Sequence, residues 1–376
     1  MTLLHRSSAW WSLTATAIAA ACFLASCGTE PRPEAPARAT DAVAGPQSLT
    51  FPDDSFRAVQ PPPAQQTPFA QPRAVTFTMG DGCEVLLVER HALPTVSIEL
   101  VCDGGAIDDP VGKEGLASLS LALMGEGTER LEKIAFREAL ADIAANVTAS
   151  ATTDQQSVSM TSLTRTLDDA IALWAETIAR PGLRQADFDR LIKARLTSLQ
   201  QIAGAPQRIS TRLRDRVAWG PDHPYGRVFT AASTSAIALA DCRTYIAERF
   251  RTAPARLYVV GDITEAQIRA RIAPHLAAVR GSRAESARLG PAAPREGRVF
   301  LVDKPGAAQS MVSVLKPGPL RTADDYPQTA ILGAILGGGF SGRINMNIRE
   351  KNGYAYGAFG GFLYQRAGSV FHAGGA

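Results

Sequence analysis

Hydrophobic and polar positions alternate clearly beyond residue 80. The apolar runs 83–88 and 96–102 are typical of strands, and a helix-like stretch follows over 115–124. A second helix pattern has its apolar face formed by Phe136, Leu140, Ile143, Ala144 and Val147. The chain therefore starts its folded part with two strands followed by two helices.

The remaining periodicity predicts a mixed architecture. Strands are predicted over 146–152, 157–163 and 256–261, and helices over 167–179, 187–202 and 235–250. The polar segment 281–297, with two prolines, favours a domain boundary. Beyond it the pattern predicts strands at 298–303 and 309–316, a helix over 324–336 and strands after Gly353. The predicted class is α+β, with sheets covered by helices on one face.

The N-terminus has the pattern of an export signal. Arg6 supplies positive charge, and the apolar segment 13–24 is shorter than the roughly 20 residues that cross a bilayer. Leu24-Ala25-Ser26-Cys27 resembles the bacterial lipobox, so residues 1–27 are predicted to be a lipoprotein signal peptide with Cys27 as the lipidated residue. An ordinary signal peptide with a chance cysteine is the alternative.

Residues 28–72 are rich in proline and alanine and lack sustained apolar periodicity. This composition predicts a semi-extended tether between the anchor and the folded part. Gly28 follows the cysteine, without an aspartate that would suggest inner-membrane retention. By analogy the expected location is the cell envelope, at the outer membrane and facing the periplasm.

Composition excludes several classes of protein. With 45% hydrophobic residues, 20% charged residues and a net charge of +3, the chain is neither disordered nor a polytopic membrane protein. The charge balance is also too even to indicate nucleic-acid binding.

If the runs 83–88 and 96–102 formed a hairpin, Cys83 would face Cys102, which would allow a disulfide; two buried thiols are the alternative.

Three blocks of sequence resemble a known family. The first contains Leu93-Pro94, Asp108-Asp109-Pro110, Gly115-Leu116-Ala117 and Gly127-Thr128. The others are 222–227 (DHPYGR) with 260–262 (VGD), and 336–343 (LGGGFSGR) with 349–356 (REKNGYAY). In this order they are similar to the insulinase/pitrilysin-type (M16) peptidases. The resemblance implies two homologous domains, over 73–282 and 297–376, joined by a linker at 283–296.

Active members of that family carry H-x-x-E-H on a helix, where the histidines bind zinc and the glutamate is the general base. The resemblance places this motif at residues 118–122, which read Ser-Leu-Ser-Leu-Ala. We call these five residues the motif segment. The family's third ligand falls near Ser198, and residues 190–206 contain no acid. No cofactor is therefore expected in this chain.

The family's second domain supplies an arginine and a tyrosine that bind the substrate carbonyl and stabilise the oxyanion. The matching residues here are Arg349 and Tyr356, and both are intact. The alternative is a surface arginine and a tyrosine retained for packing.

The resemblance implies a non-catalytic, hetero-oligomeric subunit. A zinc-bearing homologue would supply metal and base, and this chain would contribute Arg349 and Tyr356 to hydrolysis of a peptide. The alternatives are a self-sufficient zinc metallopeptidase of the same family, and a structural or peptide-binding periplasmic lipoprotein.

Gly337-x-Gly339-x-x-Gly342 satisfies GxGxxG, but it follows a helix-like run and lacks an acid about 20 residues later, so a tight helix-to-helix turn is expected instead of a nucleotide site. The sequence stops soon after a predicted strand at 369–372, whereas a second domain of the family continues further. The second domain is therefore expected to be incomplete.

Overall fold

The computed structural model describes residues 53, 55–58, 60, 62–64, 70–79, 82–278, 289–290 and 297–376. The predicted signal peptide with Cys27, most of the tether and most of the 283–296 linker lie outside the described residues. Two compact units are present, 1–69 and 70–376, and all that follows concerns the second. None of the helices in the described ranges is both long and apolar enough to cross a membrane.

The second unit mixes strands and helices along its length. The described strands are β1 Val75–Met79, β2 Cys83–Glu89, β3 Thr95–Asp103, β4 Asn146–Ala151, β5 Gln155–Leu163, β6 Ala255–Gly261, β7 Val312–Gly318, β8 Ala358–Gln365 and β9 Gly368–Gly375. The α-helices are α1 Leu116–Met124, α2 Lys133–Asp142, α3 Leu167–Ala179, α4 Gln185–Ala203, α5 Pro206–Trp219, α6 Ala231–Ser235, α7 Leu239–Tyr245, α8 Glu265–Arg271, α9 Tyr326–Gly337 and α10 Arg343–Asn345. Shorter 3-10 turns cover Ala106–Asp108, Thr164–Thr166, Pro224–Gly226 and Ala273–Ala278, and π-helical turns cover Ile246–Phe250 and Met346–Lys351. The predicted α+β class is confirmed.

The first sheet has the strand order β1-β2-β6-β3-β5-β4. β6 runs parallel to β2 and antiparallel to β3, and it lies between them. The hairpin between 83–88 and 96–102, on which the possible disulfide depended, therefore does not form. Cys83 lies beside Met79 of β1 and Cys102 beside Ala255 of β6, and no disulfide joins the two cysteines.

One face of this sheet is covered by helices. Along β3 the side chains alternate in burial, with Val96, Ile98 and Leu100 fully inside. α3 packs on β5, where the buried Trp174 indole N–H donates to the Val158 carbonyl at 3.0 Å. The partnered N–H lets a large apolar ring enter the core without leaving a polar group unsatisfied.

Several local predictions failed. The periodicity predicts neither β1 nor α8, and it does not predict α5, which begins at Pro206. Proline has no N–H to donate, so it also suits the first turn of the next helix. The predicted helix over 235–250 is formed only by α7 and the π-helical turn that follows it, since α6 already ends at Ser235. Val147 belongs to β4 instead of the second helix.

The segment 298–303 was predicted to be a strand but is irregular. Val299 and Leu301 are almost fully exposed, and no described strand pairs with the segment. An apolar run alone does not form a strand when no described strand lies beside it.

The second sheet, β7-β9-β8, is antiparallel and rests against the first domain. A small apolar cluster joins the two parts, and it consists of Ala218, Trp219, Tyr225, Ala367 and Val370.

The Tyr225 hydroxyl lies 2.7 and 2.6 Å from the two carboxylate oxygens of Asp154, to which it donates, and accepts from the Ala367 N–H at 3.1 Å. Burial, and then the bond to Asp154, raise the pKa of Tyr225, so the phenol stays protonated. Arg366 pairs with Asp103 beside it.

We expect Tyr225→Phe to lower the free energy of unfolding by about 1–3 kcal/mol, because Asp154 and the Ala367 N–H lose a buried partner. Urea denaturation followed by tryptophan fluorescence measures the change. Tyr258→Phe is the matched control, since Tyr258 is an exposed tyrosine on β6. Equal stability of the two variants would show that the phenol does not stabilise the contact.

Candidate functional site

Helix α1 contains the motif segment, and a buried aspartate fixes where it begins. Asp109 is 5% exposed, and its two carboxylate oxygens accept from the N–H groups of Gly115 (2.7 Å) and Ala117 (2.8 Å). The negative charge also suits the positive end of the helix dipole. Gly115, at φ +94°, makes the turn into the helix, and a Cβ there would lie only 2.6 Å from Nη1 of Arg195.

The motif segment has apolar side chains where the family has polar ones. Leu121, at the position of the general base, is completely buried in the core. Ser118 and Ala122, at the two histidine positions, are half-buried. The Ser118 hydroxyl donates to the Gly115 carbonyl at 3.0 Å, so its proton is already used inside the helix.

A guanidinium lies against the first histidine position. Arg195 of α4 donates from Nη2 to the Ser118 Oγ (3.0 Å) and from Nη1 to the Gly115 carbonyl (2.7 Å). Its Cζ is 4.9 Å from the centre of the Phe229 ring. Burial lowers the pKa of Arg195, and the charge of Asp109 acts in the opposite direction. A cation that belongs to the protein itself therefore contacts the motif segment.

His91 and His223 lie in separate clusters. His91 contacts Asp262 (2.7 Å) and Glu89 (3.4 Å), and these hydrogen bonds raise its pKa. His223 accepts from the Tyr225 N–H at 3.1 Å and lies 3.1 Å from the Gly290 carbonyl. Neither histidine has a described contact with the motif segment.

Arg349 and Tyr356 lie next to each other in the second domain. The Arg349 Cζ is 5.2 Å from the centre of the Tyr356 ring and 5.2 Å from that of Phe340. Tyr356 is 85% exposed, whereas Arg349 is half-buried and 3.4 Å from a Glu350 oxygen. The predicted pair is thus adjacent, with the tyrosine open to solvent.

A buried asparagine supports this pair, although its role was missed in the sequence. Asn345 is fully buried, donates from its amide to the Phe340 carbonyl (2.8 Å) and accepts from the Ala358 N–H (3.1 Å). It ties the segment that precedes Arg349 to the start of β8. The expected helix-to-helix turn at 337–342 is confirmed: Gly337 ends α9, and a Cβ there would lie 2.3 Å from the Gly360 nitrogen.

Comparison with protein-family models gives two matches. The insulinase (peptidase family M16) model matches residues 84–225, and the model of the peptidase M16 inactive domain matches residues 236–373. The chain belongs to the M16 peptidase family. Between them the two models span most of the described part of the chain.

Among the relatives of this M16 chain is a Helicobacter pylori protein named non-peptidase homolog YmxG, 23% identical over 277 residues. That match covers 73% of this chain and 64% of the relative, so the chain spans less than two thirds of the relative's length. The crystal structure of a peptidase M16 inactive domain from Pseudomonas fluorescens has a TM-score of 0.75 at 24% identity, covering 80% of this chain and 74% of that one. A protease from Helicobacter pylori has a TM-score of 0.71 at 20% identity, covering 81% and 76%.

The residues of the motif segment do not fit the zinc ion of M16 peptidases. Leu121 and Ala122 have no donor atom, and the Ser118 hydroxyl is bonded to a guanidinium that would repel a second cation. Ser198, near the expected third ligand, is exposed. In the described ranges no three His, Cys, Asp or Glu side chains are grouped so that they could hold a metal ion.

Sequence reasoning missed the residues that surround α1. Arg195 was indistinguishable from the other polar residues of an amphipathic helix, and Asp109 was noted only as part of a family block. The arginine-rich α5 was not recognised as a helix at all. Arg195, Asp109 and the arginines of α5 have in common that they lie close to α1, a helix that is almost entirely apolar. That proximity is apparent only from the packing of the helices in the structure.

Asp109 predicts a pH dependence of stability. Burial raises its pKa to about 6 in the folded chain, against about 3.9 when unfolded, although Arg227 and Arg195 face it. The folded state therefore binds this proton more tightly, so this group makes the free energy of unfolding fall by at most about 3 kcal/mol between pH 4 and pH 7. We expect Asp109→Asn to remove that component.

Urea denaturation at several pH values measures the slope. The control is Asp142→Asn, which changes an exposed carboxylate at the end of α2 and should keep the wild-type slope. A wild-type slope in Asp109→Asn would contradict the assignment.

Proposed function

We propose that this chain is a non-peptidase M16 subunit that pairs with a zinc-bearing homologue. The supporting observation is the contrast between its two halves: the motif segment contains no zinc ligand and contacts Arg195, whereas Arg349 and Tyr356 are intact and adjacent. The name of the Helicobacter pylori relative and the inactive-domain structure agree with this proposal.

In the composite site, Arg349 and Tyr356 bind the carbonyl oxygen of the scissile peptide. Arginine is a permanent cation with several donors, and the tyrosine hydroxyl adds one neutral donor. Stacking on Phe340 and Tyr356 restricts the guanidinium before substrate arrives. Such preorganised donors stabilise the negative charge that develops on the oxygen during peptide hydrolysis. The partner supplies zinc and base.

The exposure of Tyr356 supports an active site shared between chains. A hydroxyl that must reach another chain's metal site has to lie on an accessible surface, and this ring is 85% exposed. The extended peptide adds as a strand to a sheet edge in the partner's chamber wall, a common mode of peptide recognition.

For location, we propose a lipid anchor at Cys27 with the folded part in the periplasm, at the outer membrane. The lipobox-like sequence and the proline-rich segment after it support this arrangement. Neither nucleic acid nor a membrane-spanning helix is part of the proposal.

We expect Arg349→Ala and Tyr356→Phe to reduce peptide turnover at least tenfold when this chain is mixed with an M16 chain that has H-x-x-E-H from the same genome. Removing one preorganised donor to an oxyanion costs about 100-fold or more in favourable cases. Cleavage of quenched fluorescent peptides measures the rate. The matched controls are Arg343→Ala and Tyr354→Phe, two exposed residues nearby that should leave turnover unchanged.

Three results would contradict this function. Unchanged turnover in both variants would leave the chain a structural or peptide-binding scaffold. Cleavage by the isolated chain, or about one equivalent of tightly bound zinc in it, would make it a self-sufficient peptidase.

We expect Cys27→Ser to move the protein from the membrane fraction to the soluble periplasmic fraction, because the lipid attachment atom is lost. Cys22→Ser, within the same apolar segment, is the matched control and should remain membrane-bound. Fractionation with mass spectrometry of the N-terminal peptide measures both. Membrane association of unmodified Cys27→Ser would contradict the anchor.

A further inference from the structure

Two arginines stack on one phenylalanine beside α1, and a third lies two residues before that ring in the chain. The Arg195 and Arg212 Cζ atoms lie 4.9 and 4.5 Å from the centre of the Phe229 ring. Arg227, two residues before that ring, donates to the Asp109 carbonyl at 3.0 Å. We call Arg195, Arg212, Arg227 and Phe229 the arginine cluster. It brings together α4, α5 and the segment before α6 at the N-terminal end of the motif helix.

Positive charge in the arginine cluster exceeds the negative charge that faces it. The charge of Asp109 acts on Arg195, Arg227 faces the same carboxylate, and both of its oxygens already accept backbone N–H groups. Arg212 makes no hydrogen bond or ion pair with any described residue, although it is half-buried. Two of the three guanidinium groups therefore face the same carboxylate, and the third has no ion pair among the described residues.

The arginine cluster also has an N–H donor without an acceptor. The Nε of Arg227 is buried and has no hydrogen-bond partner among the described residues. Arg195 donates to a carbonyl and a hydroxyl, which are neutral acceptors. Removing a cation from water is costly unless an anion compensates, and an unsatisfied buried donor adds to that cost. A bound anion would compensate the excess positive charge and accept a hydrogen bond from the unpaired donor.

The location favours a peptide as the source of that anion. The arginine cluster contacts Ser118 and Gly115, so it borders the surface where M16 peptidases process peptides. Guanidinium groups match the planar carboxylate and bind it through paired N–H donors. The exposed part of Arg212 leaves the cluster open to a ligand.

We propose that the arginine cluster binds a peptide carboxylate, so that the degenerate zinc site is an anchor for acidic or C-terminal groups of the substrate. The identity of the ligand rests on the proposed function, whereas the binding itself requires neither zinc nor a partner chain. The two sources, an α-carboxylate and an Asp or Glu side chain, share the same chemistry.

Fluorescence anisotropy with the isolated full chain tests this proposal. The probes are three labelled peptides of one neutral sequence: one with a free C-terminus, one amidated, and one amidated with an internal glutamate. At least one carboxylate-bearing peptide should bind tenfold or more tightly than the neutral amide, and the stronger of the two identifies the source.

Arg212→Gln should weaken that binding at least fivefold and leave the neutral amide unaffected, whereas Arg212→Lys should retain part of it. The matched control is Arg216→Gln, an exposed arginine one turn further along α5, which should stay within twofold of wild type. Circular dichroism confirms that the variants fold.

Equal binding of all three peptides, or equal affinity in Arg212→Gln and wild type, would overturn the proposal. Displacement of the peptide by millimolar inorganic phosphate but not by acetate would also overturn it, since the site would then select phosphate. Because no cleavage is measured, a failure here is distinct from a failure of the Arg349 and Tyr356 assignment.

Discussion

The arrangement around the motif helix depends on one buried carboxylate. Asp109 fixes the start of α1 through two backbone N–H groups, and its charge faces Arg195 and Arg227 from two other segments. A carboxylate in this position is costly to ionise, and the cationic neighbours offset part of that cost. The same residue thus sets the helix boundary and holds positively charged side chains against it.

The two halves of the molecule differ in how far they match the pattern of active M16 peptidases. In α1, Leu121 belongs to the core, so the helix contributes packing where active M16 peptidases have a general base. In the second domain, Asn345 still ties the backbone around Arg349 and Tyr356 through two buried hydrogen bonds. An apolar residue at the position of the general base cannot transfer a proton, but it adds buried apolar surface, so it is compatible with a stable fold.

Sequence reasoning succeeded where the pattern is local. Helix α3 has the predicted bounds, because its apolar face and the following Pro181-Gly182 are both visible in the sequence. It failed where a contact joins residues that are far apart in the chain. Periodicity shows that 83–88 has a buried face but not that β6 lies beside it, and it does not show that Tyr225 meets Asp154. The adjacency of Arg349 and Tyr356 followed from family resemblance, whereas the charge excess around Phe229 required the packing of three helices.

The insertion of β6 between β2 and β3 has a consequence for the order of folding. Glu84 pairs with Arg256, so the middle of the first sheet joins residues that are far apart in the chain. Closing such a large loop is entropically costly and slows folding. During synthesis, β2 and β3 each retain one unsatisfied edge until β6 has emerged, and premature association between nascent chains would compete with correct assembly during that interval.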